Sequence, residues 1–69
     1  MDRITVHEYE RMYKHVAIAI GHVETCIGIA KTVKHYQLFS KFIGVKVELE
    51  TLKNWIKMIL EEQVEKVYE

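Results

Sequence analysis

His22 and Cys26 stand four residues apart, so on an α-helix their side chains lie one above the other, within reach of a shared Zn²⁺ ion. His15 and Glu8 extend the same row in seven-residue steps. Each step is about 10 Å along a helix axis, too far for one ion, so a full tetrahedral set would need ligands from a second helix or chain. The paired ligand spacings of a structural zinc site are missing. The alternative makes Cys26 a small core hydrophobe and leaves His22 at the edge of a packing seam, its polar tip in water or bonded to a neighbour. The same pair read as nucleophile and base would need a group to orient the histidine, oxyanion donors and a pocket of roughly 300 Å³ or more. A chain of 69 residues leaves little room for that, Ser40 is its only serine, and it has no glycine-rich phosphate loop. A non-enzymatic protein with no resident cofactor is expected.

The length fits a single domain, residues 1–69, and folding alone removes only about 60% of the surface that so short a chain exposes. Small chains make up the deficit with disulfides, a metal or a partner subunit. With one cysteine no intrachain disulfide can form, which leaves a partner as the simplest remedy. The start MDRITVHEYERMYK has no apolar run behind a basic beginning, so a cytoplasmic, reducing setting is expected. The apolar run Val16–Ile20 is far shorter than the roughly 20 residues that cross a bilayer, so no membrane partner is expected. Net charge is zero, against a purely electrostatic nucleic-acid binder. The charge is uneven all the same: residues 31–57 are basic, and the tail from Met58 carries Glu61, Glu62, Glu65 and Glu69 against Lys66. Abundant Ile, Val, Lys and Glu lean towards a thermophilic source.

A helix must position most of these residues. Thr5 and Glu8 have the spacing of a capping box. From there Tyr9, Met12, Val16, Ala19, Val23, Cys26, Ala30 and Val33 recur three and four apart, with Tyr13, Ile20 and Ile27 widening the stripe by one row. Gly44 is the natural helix stop, with Lys41 near it favouring a helix end. A second helix is expected from about Glu48, on the apolar set Leu49, Leu52, Trp55, Ile56, Ile59, Leu60, Val64, Val67 and Tyr68. The acidic residues at its far end oppose the helix dipole, which points to a partner or to simple solvation. A first helix from Val6 to Phe42 would be about 55 Å long against about 33 Å for the second, so it either bends near Gly21 or packs partly on another subunit. Ala17, Gly21, Gly28 and Thr32 share one side of it and could form a second packing face; equally, the glycines could mark bends.

A strand reading competes. Val16, Ile18 and Ile20 alternate with alanines, Val23, Thr25, Ile27 and Ile29 alternate in turn, and Gly21–His22 has the glycine-first signature of a type II′ turn. Helix is preferred because the seam runs from Tyr9 to Val33 without a change of register.

Leu38 to Lys57, LFSKFIGVKVELETLKNWIK, loosely resembles the helix-turn-helix pattern of DNA-binding regulators: Gly44-Val45 would be the turn, and Thr51, Leu52 and Trp55 the start of a recognition helix. The resemblance implies that Lys53, Asn54 and Lys57 face the DNA groove. It covers under a third of the chain, with about two residues too many between Gly44 and Leu52. The alternative is an ordinary solvated face.

The leading expectation is an all-α protein: a long helix that can bend at Gly21, a turn near Gly44, and a C-terminal helix, the hairpin dimerising into a four-helix-type bundle. The alternative fold is α+β with a hairpin around Gly21–His22. The subunit contact is expected at Val16, Ile20, Val23, Ile27, Trp55, Ile56 and Ile59. The expected function is that of a homo-oligomeric interaction or regulatory protein acting on itself and on a protein partner. The rivals are a small dimeric DNA-binding regulator and an oligomer linked by metal through His22 and Cys26.

Overall fold

The computed structural model describes the backbone of residues 3–68 and the side chains of residues 5–63. Two helices make up the fold, α1 (Arg3–Thr32) and α2 (Tyr36–Tyr68), lying against each other as an antiparallel hairpin 53 × 15 × 11 Å in extent. No strand occurs among the described residues. The all-α expectation therefore holds, and the alternative with a β-hairpin at Gly21–His22 does not. Both residues lie inside α1, where heptad spacing across Gly21 keeps one apolar row facing α2.

The chain reverses ten residues before the glycine expected to stop the helix. Gly44 sits in the interior of α2, which begins at Tyr36 rather than near Glu48. Val33, Lys34 and His35 make the turn. Lys34 takes the left-handed conformation, φ 60°; its N–H donates to the Lys31 carbonyl at 3.2 Å and the His35 N–H to the Ala30 carbonyl at 3.0 Å. That pair of bonds is a Schellman motif with lysine in glycine's usual place. His35 then caps α2. Its Nδ1 accepts the Leu38 N–H at 3.1 Å, and its carbonyl accepts the Phe39 N–H at 3.0 Å, satisfying donors that a helix start leaves open. At the other end α1 already begins at Arg3, so Thr5 lies within the helix rather than at its cap, and Glu8 pairs forward with Arg11 Nη1 at 3.0 Å.

The turn makes the two arms nearly equal, 30 and 33 residues. No bend at Gly21 is then needed to match them. The facing rows are heptads throughout. On α1 they are Val6, Tyr9, Tyr13, Val16, Ile20, Val23, Ile27 and Ala30; on α2, Phe39, Phe42, Lys46, Leu49, Lys53, Ile56, Leu60 and Gln63, all buried or half-buried. Their spacing, three then four, is that of positions a and d in a two-stranded coiled coil. The row of Tyr13, Ile20 and Ile27 faces inward in place of Met12, Ala19 and Cys26, because turning the larger side chains into the seam removes more apolar area from water.

The core this produces is thin. Among the described residues only Ile20, 8% exposed, and Ala30, 4%, are buried apolar side chains, while Met12, Val45, Leu52 and Trp55 are among twelve large hydrophobics left in contact with solvent.

Candidate interaction surface

Two lysines occupy seam positions of α2, and each carries its charge out at the edge while its alkyl stem stays in the seam. Lys46 Nζ lies 3.5 Å from Glu24 of α1 and 3.9 Å from Glu50 on its own helix. Lys53 Nζ stands 5.5 Å from the centre of the Tyr13 ring, a cation–π distance. These contacts fix which edge of the hairpin is polar. Glu24 and Glu50 both hold heptad position e, and in an antiparallel pair the e positions of the two helices share one edge while the g positions share the other.

The g edge is apolar from Met12 to Val33 on α1 and from Leu38 to Ile59 on α2. On α1 it carries Met12, Ala19, Cys26 and Val33, and on α2 Leu38, Val45, Leu52 and Ile59, each set seven residues apart. Trp55, 63% exposed, and Ile29 stand beside it at position c. Seen along its axis, the hairpin thus carries the Lys46 contacts to Glu24 and Glu50 on one flank, where Ile43 is also exposed, and a continuous apolar strip along the other. The two rows that compete for the seam in the sequence have both found a use: one packs inside the hairpin and the other lines this flank.

The glycines lie away from the strip, on the polar and outer sides. A Cβ added at Gly21, Gly28 or Gly44 would meet nothing within 4 Å. Thr25 and Thr32 hydroxyls donate to the Gly21 and Gly28 carbonyls at 3.2 and 2.9 Å, a way for a β-branched hydroxyl residue to sit inside a helix. The face of Ala17, Gly21, Gly28 and Thr32 does not touch α2 through its glycines.

Of the residues expected at a subunit contact, Val16, Ile20, Val23, Ile27 and Ile56 lie in the seam within the chain, and Ile59 and Trp55 lie on the apolar flank. Met12, Val33, Leu38, Val45 and Leu52 are the flank residues that sequence reasoning did not assign to a surface. Their seven-residue recurrence was the available signal.

His22 is exposed and Cys26 half-buried on the flank edge; no group of three or more His, Cys, Asp or Glu among the described residues could hold a metal ion. The turn that a helix-turn-helix requires at Gly44-Val45 is continuous helix. Lys53 is turned into the seam, whereas Asn54 and Lys57 are exposed. No described helix is long and apolar enough to cross a membrane. No family model, curated protein or solved structure matches this chain.

Proposed function

We propose that this protein is a small, non-enzymatic, self-associating interaction protein of regulatory type, which works by presenting helix faces to itself and to a protein partner. The observation that carries the reading is the unbroken apolar flank from Val33–Leu38 at the turn to Met12–Ile59 near the open end, with Leu52 46% and Val45 43% exposed. Contiguous apolar surface on a water-soluble helix pair marks a place where another surface belongs. The opposite edge carries the ion pairs of Lys46 with Glu24 and Glu50. Cross-linking of the tagged chain in a lysate of its source cells tests the reading: cross-linked products of any composition are expected for the unaltered chain and are expected to disappear for Leu52→Glu. Identical patterns from the two would remove the flank, and the reading with it.

A further inference from the structure

We infer that the surface seated on the apolar flank is a second copy of this chain, turned end over end so that two hairpins form an antiparallel four-helix bundle. The inference rests on the reading of that flank as the interaction surface, and three independent observations select the occupant.

The first is area. The chain exposes 5638 Å², whereas a compact globular monomer of its mass exposes about 4,500 Å². The excess, about 1,100 Å², is somewhat more than the roughly 800 Å² per partner that a stable protein–protein interface takes. A hairpin is also a single layer, and stable domains need two.

The second is charge. Between Thr25 and Val47, around the turn, the chain has Lys31, Lys34, Lys41 and Lys46 and no acidic residue. Residues 3–10 and 58–68, at the open end, carry Glu8, Glu10, Glu61, Glu62 and Glu65 against Arg3 and Lys66. Each hairpin is therefore basic at one end and acidic at the other, and only the end-over-end arrangement sets unlike ends together. It also gives the glutamates at the C-terminal end of α2, which oppose that helix's own dipole, a basic neighbour.

The third is shape. A two-fold axis in the plane of the flank and perpendicular to the helices lays α1 on α1 and α2 on α2, each pair antiparallel. With the axis at Ala19, the smallest flank residue, Met12 meets the partner's Cys26, a long side chain against a short one. On α2 the same axis passes between Val45 and Leu52, so Val45 meets the partner's Leu52 and Leu38 meets the partner's Ile59. The seven-residue spacing makes the strip complementary to itself. Trp55 falls opposite the partner's Lys41, a cation–π pairing. Two meetings at the rim are unfavourable, Glu48 with the partner's Glu48 and Glu8 with the partner's Ile29.

Sedimentation equilibrium of the purified full chain between 1 and 100 μM, joined to disulfide trapping, tests this. Twice the chain mass is expected, with dissociation at least 100-fold easier for Leu52→Glu and several-fold harder for Glu48→Gln. Leu52 lies outside the seam, so Leu52→Glu is expected to remain helical by circular dichroism; Glu48→Gln, on an exposed site, carries the test if it does not. In a Cys26→Ala background, Ala19→Cys is expected to give a disulfide-linked dimer on mild oxidation and Met12→Cys none, because the end-over-end arrangement brings the two copies of residue 19 together and holds the two copies of residue 12 about 20 Å apart, whereas a parallel pairing would link both. A dimer that fails to cross-link at residue 19, or that cross-links at residue 12, overturns the orientation. A monomer at 100 μM overturns the second copy as occupant; the flank reading itself then stands or falls on whether Leu52→Glu abolishes the lysate cross-links. A trimer or larger assembly, or a dimer unmoved by both substitutions, also overturns the inference.

Discussion

Replacing Gly44 with alanine separates the continuous α2 from a helix that stops at residue 44, and the two predict opposite signs. Inside a helix, alanine is favoured over glycine by about 1 kcal/mol, because glycine loses more backbone freedom on folding. Nothing offsets that gain here, since the added Cβ meets no atom within 4 Å. Were Gly44 a left-handed helix cap, alanine there would instead cost roughly 1 kcal/mol. Gly21→Ala follows the same logic against a type II′ turn. The three exchanges, Gly21, Gly28 and Gly44, are far enough apart to add approximately, for a combined gain of about 2–3 kcal/mol. Urea unfolding at one fixed protein concentration, followed by helix circular dichroism, reads this as an upward shift of the midpoint, with the single Gly44→Ala variant worth about 0.5–1 M. A lower midpoint for Gly44→Ala or Gly21→Ala would refute continuous helix at that position, and a lower midpoint for the triple variant alone would mean that the glycine face is packed against something.

The turn makes two further predictions. Lys34→Gly relieves a left-handed lysine and is expected to raise the unfolding free energy by about 0.5–1 kcal/mol; no change in thermal midpoint would place the reversal elsewhere. His35→Ala removes the acceptor of the Leu38 N–H and is expected to cost about 0.5–1 kcal/mol, with His35→Asn restoring most of it; an alanine variant as stable as the parent would deny His35 its capping role. At the seam, Lys46→Met gives up exposed ion pairs worth less than about 1 kcal/mol and seats an apolar side chain in the same place, so a net gain of about 0.5 kcal/mol is expected. Because a lysine at a seam position restricts register and partner number, the same variant is expected to sediment less uniformly. A loss above 1 kcal/mol would instead make the Lys46–Glu24 contact a main tie between the helices.

The helical class was legible in residues 9–33, where apolar spacing continues across two glycines, and in the stripe from Leu49 to Leu60. The turn was not. It is built from Val33, Lys34 and His35, none of them a usual turn former, and its left-handed position and helix cap are filled by lysine and histidine, while all three glycines, the usual punctuation, lie in helix interiors. Lys46 and Lys53 concealed the first half of α2 as well, because they stand where the heptad calls for apolar residues and so break the row that begins at Phe39 and Phe42. One sign was present in the sequence: continuing the α1 heptad past Ala30 leads to Lys34 and Gln37, both polar, and the row resumes out of phase at Phe39. The apolar flank was half legible. Met12, Ala19, Cys26 and Val33 stood out as a row, but whether that row or its neighbour would face α2 depended on where the chain turned, and the matching row on α2 appears only when the helix is extended back to Tyr36.

Small-angle scattering of the purified chain at tens of micromolar tests the pairing of the two flanks most directly. Side-by-side, end-over-end packing doubles the forward scattering of the 8.2 kDa chain while the longest dimension stays close to the single hairpin's 53 Å and the radius of gyration rises little above 15.8 Å. Forward scattering of a single chain, or of a pair extended to about twice the hairpin's length, would contradict it.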